Sequence, residues 1–168
     1  MTGLAQRMSS PMAKVIDGRA LASHMREELR ARATSLRNNR GVVPSLAVIL
    51  IGDDPASAIY VCNKVRACEK VGIHSTTIRR AAGVTTEDLL GLIAELNIDP
   101  TVHGILVQLP LPPHIDMAAV LDAIDVRKDV DGFHLYNVGG LVTGSTVFSP
   151  CTPYGVLKLL EHAEIPIE

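Results

Sequence analysis

The sequence has little of what marks nucleic-acid-binding, membrane-spanning or nucleotide-binding proteins. Its 168 residues include no Trp, three Tyr and two Phe, and the net charge is −2, so no basic surface for nucleic acid is expected. The longest apolar run, LAVILI, is too short to cross a bilayer. Gly139 and Gly140 are adjacent, but no G-x-G-x-x-G or Walker sequence occurs, so no dinucleotide or triphosphate loop is predicted.

Cysteine is also scarce, and its spacing excludes a disulfide framework. Cys62, Cys68 and Cys151 stand at neither disulfide nor zinc spacing, and no pair of histidines has metal-ligand spacing. These features predict reduced thiols, a cytoplasmic protein and no metal site. The opening MTGLAQRMSSP lacks the apolar core of a signal peptide. We expect residues 1–13 to be a disordered extension. They could be a weak targeting peptide, but an irregular start without a function is the simpler interpretation.

The rest of the chain alternates helix and strand patterns. Helices are predicted in DGRALASHMREELRARATSLRNN, DDPASAIYVCNKVRACEKVG, TTEDLLGLIAELN, DMAAVLDAI and TPYGVLKLLEHA, the last with Thr152 as its cap. Pro55 and Gly72 suit the start and stop of the second helix, and Thr85 with Asp88 has capping-box spacing. VPSLAVILIG, IHSTTIRR and VHGILVQL are typical of strands. The alternation predicts one three-layer α/β/α domain with a mostly parallel sheet.

One segment breaks the regular alternation. Residues 125–151, DVRKDVDGFHLYNVGGLVTGSTVFSPC, are rich in Gly and poor in periodicity, and a loop this long is usually functional or mobile. Ligands of open α/β sheets bind beyond the carboxyl ends of strands. We therefore expect this segment and Gln108, which ends its strand, to share one rim of the sheet.

Tyr60, Lys64 and Gln108 are the first candidates for chemistry. Tyr60 and Lys64 stand four apart in YVCNK and share a helix face. A helical Lys is usually a solvated charge, and Lys64 becomes a candidate acid or base only if its face turns into a cleft. Gln108 both donates and accepts hydrogen bonds at the end of a buried strand. A backbone partner would satisfy Gln108 without any function, and the two interpretations are about equal on local grounds.

Structural roles without any chemistry are simple alternatives for Asp131 and Asp129, and Cys151 can be an ordinary thiol. Asp131 precedes Gly132, a common turn pair, and Asp129 suits a cap as well as a site. Cys151 directly precedes a predicted helix, where a thiol pKa can be depressed, but the sequence fixes no His beside it. A thiol nucleophile is therefore a minority hypothesis.

Several segments together resemble the amino-terminal catalytic domain of bifunctional methylene-tetrahydrofolate dehydrogenase/methenyl-tetrahydrofolate cyclohydrolase. They are IDGRALA, LAVILIGDDPASAIYVCNKVRACEKVGI, VHGILVQLPLPPHID, KDVDGFHLYNVG and PCTPYG. These stretches run in the family's order from about residue 14 to residue 168. YVCNK, VQLPLP and DVDGF, in this order and with these gaps, are highly specific.

The resemblance implies a role for each matching residue. Lys64 matches the catalytic lysine, Gln108 its glutamine partner and Tyr60 the neighbouring aromatic residue. Asp131 matches the pterin-binding aspartate, and Pro110 is expected beside the substrate. The family interconverts methylene-, methenyl- and formyl-tetrahydrofolate in one-carbon metabolism, which feeds purine biosynthesis, and forms a homodimer.

The resemblance also implies a second domain. In the family a Rossmann domain that binds NADP or NAD follows, and folate lies between the two domains. This chain stops at EIPIE, so residues 14–150 are expected to be the folate-binding domain and residues 151–168 the start of an interdomain helix and linker. The chain alone is then not expected to be a dehydrogenase. Tyr154 in PCTPYG stands where Arg or Lys is expected, so an anion contact there would be lost.

Two alternatives to an active domain stay open. A truncated relative could bind folate without turning it over, because half a cleft leaves Lys64 exposed to water. A non-functional fragment could instead associate through the apolar VLKLL of its last helix.

Overall fold

A computed structural model describes residues 13 and 15–167. Apart from Ala13, the expected disordered extension lies outside these residues. The helices and strands follow the predicted order, with one addition. They are α1 (Gly18–Arg40), β1 (Ser45–Ile51), α2 (Pro55–Val71), β2 (His74–Arg80), α3 (Thr86–Ile98), β3 (Gly104–Val107), α4 (Met117–Asp122), α5 (Leu135–Thr143) and α6 (Cys151–His162).

The three strands form one parallel sheet in the order β2-β1-β3. Alternate residues of the central strand β1 point to opposite faces and are buried on both. Ile49 joins the apolar cluster formed with α3 and α4, whereas Val48 joins the cluster formed with α2. α1 packs against α2 on that second side. The three-layer α/β/α prediction is confirmed, and no described helix is both long and apolar enough to cross a membrane.

Local sequence signals set most helix ends. Asp54 accepts a hydrogen bond from the backbone N–H of Ser57 at 2.7 Å and so starts α2 directly before Pro55. Gly72 ends that helix with φ +79°, a left-handed conformation that glycine adopts without a Cβ penalty. Both hydrogen bonds of the Thr85–Asp88 capping box are present at the start of α3.

Two predictions in the carboxyl-terminal third are wrong. Thr152 does not cap α6, because the helix already begins at Cys151 and the cap position is held by Pro150. The segment 125–151 is not wholly irregular, because α5 lies within it. Position 140 of α5 requires a glycine because the chain packs closely there: a Cβ would lie 2.7 Å from the backbone of Thr146.

Candidate functional site

Lys64 and Gln108 meet at the junction of α2 and β3. The Nζ atom of Lys64 donates a hydrogen bond to Oε1 of Gln108 at 3.5 Å, although the residues are 44 positions apart in sequence. Val61 and Val65, on either side of Lys64 in α2, pack against the sheet and so fix the helix at this distance. Both polar side chains are half-buried. The helix face that carries Lys64 therefore does turn towards the strand end.

Gln108 is held in one orientation by three hydrogen bonds. Its backbone N–H donates to the carbonyl of Ile49 at 2.9 Å, which extends the β1–β3 pairing by one residue. Its side-chain Nε2 donates to the carbonyl of Leu109 at 2.7 Å, and Oε1 accepts from Lys64. Because Nε2 is engaged by the Leu109 carbonyl, the amide oxygen is the atom left to face the lysine. Gln108 thus has both the backbone partner and the site partner that the sequence left open.

Asp131 lies in the same neighbourhood, on the turn after α4. Burial raises the pKa of its carboxyl above the ordinary 3.8; the positive charge of Lys64 lowers that pKa, and the negative charge of Asp129 raises it. A carboxylate partly removed from water, and close to one cation, is a strong acceptor for paired N–H donors.

Hydrogen bonds from Cys151 connect the start of α6 to the turn that carries Asp131. Its backbone N–H donates to the carbonyl of Asp131 at 3.3 Å, and its Sγ donates to the carbonyl of Val130 at 3.3 Å. Burial, followed by the charge of Asp131, raises the pKa of the Cys151 thiol. Because a nucleophilic cysteine needs the opposite shift, the geometry disfavours a thiol enzyme.

Asp129 acts as the cap that the sequence allowed. Its buried carboxylate accepts from the backbone N–H groups of Gly132 at 3.1 Å and His134 at 2.9 Å, so it closes the turn that carries Asp131. Sequence reasoning missed its third partner, Asn137, which donates at 2.8 Å. The only available signal was one amide within the otherwise apolar LYNVGGLV.

Tyr60 and Pro110 lie at the margin of the site. Tyr60 is 64% exposed on α2, one turn before Lys64, and Pro110 is exposed beyond Gln108. Among the described residues, neither side chain makes a hydrogen bond to Lys64, Gln108 or Asp131. The structure therefore brings three of the five predicted site residues together and leaves two on the open side.

Tyr154 faces a different part of the surface. It lines an apolar groove of about 520 Å³ between α1 and α6. The Nζ atom of Lys158 lies 5.1 Å from the centre of its ring and also pairs with Glu161 at 2.7 Å. A cation thus stands one turn after Tyr154 in this chain.

Known proteins resemble this chain in sequence. A family model described as tetrahydrofolate dehydrogenase/cyclohydrolase, catalytic domain, matches residues 16–131. Bifunctional protein FolD 2 of Geobacter sulfurreducens is 55% identical over 156 residues, which are 93% of this chain and 54% of the relative. The chain spans about half the length of the curated relatives it matches.

Solved structures show the same fold. The bifunctional methylenetetrahydrofolate dehydrogenase/cyclohydrolase FolD of Campylobacter jejuni superposes with a TM-score of 0.88 at 49% identity, over 90% of this chain and 54% of that one. The Trypanosoma brucei enzyme, solved with NADP cofactor and inhibitor, gives 0.87 at 37% identity, over 92% of this chain and 53% of that one.

Proposed function

The chain belongs to the tetrahydrofolate dehydrogenase/cyclohydrolase family, as its catalytic domain, and we propose that it binds reduced folate and opens the methenyl bridge. The observation that carries the proposal is the contact of Lys64 Nζ with Gln108 Oε1 at 3.5 Å, beside the Asp131 turn. A proton acceptor, an orienting amide and a carboxylate thus converge from α2, β3 and the following turn. We propose one-carbon metabolism as the setting.

Lys64 and Gln108 suit the addition of water to a cationic methenyl carbon. As the water oxygen bonds to that carbon, one of the two water protons passes to the amine of Lys64. One carbon–nitrogen bond of the resulting carbinol then breaks: the carbinol hydroxyl loses its proton and becomes the formyl carbonyl, the released nitrogen takes up a proton, and formyl-tetrahydrofolate is formed. The Gln108 amide keeps the amine directed at the bridge, because its own nitrogen is fixed to the Leu109 carbonyl.

Asp131, Tyr60 and Pro110 suit binding of the substrate. The Asp131 carboxylate offers two acceptor oxygens to the paired N–H donors at the edge of a pterin. The exposed ring of Tyr60 provides a face on which the aminobenzoyl ring can stack. Pro110, also exposed, borders the site beyond Gln108.

The described residues do not fit a nicotinamide cofactor. Gly139 and Gly140 lie inside α5 and not in a turn between a strand and a helix, where a dinucleotide pyrophosphate binds. NADP or NAD, which the family uses to accept a hydride, would need the further domain of the longer relatives. We therefore assign no hydride-transfer step to this chain, and include that domain and a second protomer among its proposed partners.

A second candidate function is folate binding without turnover. It is favoured by the exposure of Tyr60, at 64%, and by the half-exposed Lys64, because an open site does not exclude water from the reacting groups. This candidate predicts measurable affinity for tetrahydrofolate but no acceleration of ring opening.

Loss of the methenyl chromophore distinguishes the two candidates. We expect the chain to accelerate ring opening of methenyl-tetrahydrofolate, and Lys64→Met to slow it by at least about 100-fold because the proton acceptor is lost. Its dissociation constant for tetrahydrofolate should stay within about threefold of the unchanged chain, because Asp131 and Tyr60 supply the binding contacts. Lys70→Met, in the last turn of the same helix, is the matched control and should keep full activity.

Each result selects one candidate. Binding without acceleration would select the folate-binding module, and equal rates in Lys64→Met and the unchanged chain would remove Lys64 from the reaction. Absence of tetrahydrofolate binding by the unchanged chain would reject both candidates.

A further inference from the structure

The Asp131 turn depends on a buried carboxylate that has no cation beside it among the described residues. Asp129 is 2% exposed, and its three partners are the N–H groups of Gly132, His134 and the Asn137 amide. All three are donors, which matches the acceptor-only character of an ionised carboxylate. Oδ1 accepts from Gly132, and Oδ2 accepts from both His134 and Asn137, so removing any one donor leaves a buried carboxylate with one hydrogen bond fewer, which is costly in a low-dielectric interior.

Asn137 is the partner that reaches furthest. It is fully buried on α5, and its Nδ2 donates to Asp129 at 2.8 Å. Its Oδ1 accepts from the backbone N–H groups of Val147 and Phe148, both at 3.1 Å, and from the hydroxyl of Thr146 at 3.3 Å. One amide therefore joins the Asp129 turn to the segment that leads into α6.

That segment contacts Asp131 directly. Two residues beyond Phe148, Pro150 packs so closely on Gly132 that a Cβ at Gly132 would lie 2.6 Å from the Pro150 nitrogen. Cys151 then donates from its backbone to the Asp131 carbonyl. The backbone of Asp131 is thus held from both sides, and both holding segments are joined by Asn137.

We propose that Asn137 is a positioning residue for folate binding, which acts through Asp129 and residues 146–150 on the carboxylate of Asp131. The inference rests on the proposed function, because Asp131 is the group that binds the pterin there. An amide suits the position because it donates on one side and accepts on the other. An Asp in its place would keep the acceptor for Val147 and Phe148 but would set a second carboxylate against Asp129.

A double-mutant cycle tests the inference. Tetrahydrofolate dissociation constants are measured for the unchanged chain, Asn137→Ala, Asp131→Asn and the double variant, together with each thermal midpoint. We expect Asn137→Ala to weaken binding roughly tenfold, and to weaken it less than about twofold when Asp131→Asn is already present. If the role of Asn137 were purely structural, the affinity losses of Asn137→Ala and Asp131→Asn would multiply in the double variant.

Asn97→Ala is the matched control. Asn97 is a half-buried amide that also joins a helix to a loop, since it donates to the Ala123 carbonyl at 2.8 Å and accepts from the Asp125 N–H at 2.9 Å. The Asn97→Ala substitution should lower the thermal midpoint without changing the affinity for tetrahydrofolate. An equal loss of affinity in Asn97→Ala and Asn137→Ala, or independent effects in the cycle, would overturn the inference.

Asn137→Asp keeps the side-chain shape and covers the case in which Asn137→Ala does not fold. Its affinity relative to the unchanged chain should recover as pH falls, because a protonated carboxyl regains a donor for Asp129. Asp129 and the nearby ionisable groups Asp131, Lys64, His134 and Cys151 are present in both proteins, so the ratio of affinities is the readout. A ratio independent of pH contradicts the inference. If the unchanged chain binds no tetrahydrofolate, the proposed function fails first, and this inference fails with it.

Discussion

The two sides of the candidate site are built differently. On the Asp131 side, a buried carboxylate and a buried amide connect the turn, α5 and the start of α6 through hydrogen bonds mostly of 2.8 to 3.3 Å. On the Lys64 side, one side-chain hydrogen bond of 3.5 Å joins α2 to the end of β3, and Tyr60 is 64% exposed. Contacts within the fold form the proposed pterin side, whereas the proposed reactive side is exposed on the surface of the described residues.

Side-chain chemistry explains the difference. Hydrogen bonds weaken beyond about 3.2 Å, and a half-exposed lysine retains much of its rotamer entropy, so the Lys64–Gln108 contact adds little stability. The Asp129 and Asn137 groups are buried, so each of their hydrogen bonds is costly to lose. Three substitutions test the comparison, in order of decreasing effect on stability.

Gly132→Ala should break the Asp131 side. Gly132 has φ +73°, and a Cβ there would meet the Pro150 backbone at 2.6 Å. We expect a loss of roughly 2–4 kcal/mol in the free energy of unfolding, measured by urea titration, together with loss of tetrahydrofolate affinity. Gly91→Ala, in α3 with no atom near the new Cβ, should instead be neutral or slightly stabilising. Equal stability of the two variants would show that the Asp131 turn is not tightly held.

Asp131→Asn should separate binding from stability. The folded-state pKa of Asp131 is raised above 3.8, chiefly by burial, so the ionised carboxylate is less favourable in the fold than in the unfolded chain. Above the folded pKa the variant should therefore be the more stable protein. This advantage should shrink as pH falls through that pKa and vanish below 3.8.

Binding by Asp131→Asn should move in the opposite direction. Loss of an ionised acceptor should weaken tetrahydrofolate binding by roughly 10- to 100-fold at neutral pH. Urea midpoints across a pH series and calorimetric titration give the two quantities. A variant that is less stable at neutral pH and binds as before would contradict both the pKa argument and the pterin assignment.

Gln108→Leu should have the smallest effect on stability. The Lys64 contact is long and the side chain half-exposed, so the main loss is the hydrogen bond to the Leu109 carbonyl, and the free energy of unfolding should fall by no more than about 1 kcal/mol. Ring opening should nevertheless slow roughly tenfold, because Lys64 loses the group that orients it. A loss of stability comparable with that of Gly132→Ala would refute the contrast between the two sides.

Sequence reasoning predicted the parts of the fold that local chemistry controls. Thr85 with Asp88 and Pro55 with Gly72 indicated helix ends, and the apolar run LAVILI favoured a strand buried on both faces. The convergence of Lys64 and Gln108 followed from the family resemblance, together with the rule that ligands bind at strand ends. These signals lie within a few residues of one another or in motifs that can be read directly.

The missed features depend on tertiary contacts. α5 was hidden because Gly139 and Gly140 lower helix propensity, whereas the close approach of Thr146 requires a residue without a Cβ at Gly140. The role of Asn137 depends on partners eight to eleven residues away that no periodicity connects. Pro150 displaced Thr152 from the cap position because its packing on Gly132 sets where the chain enters α6.

The strand order β2-β1-β3 also bears on how fast this chain reaches its native state. Gln108 is placed by pairing with β1, and Lys64 by docking of α2 on the face of that strand, so their contact closes a loop of 44 residues. Closing such a loop costs chain entropy before the contact returns any energy, and non-local contacts of this kind slow folding. We therefore expect the two side chains to meet late in folding, so that a probe placed there would report completion of the sheet and not early collapse.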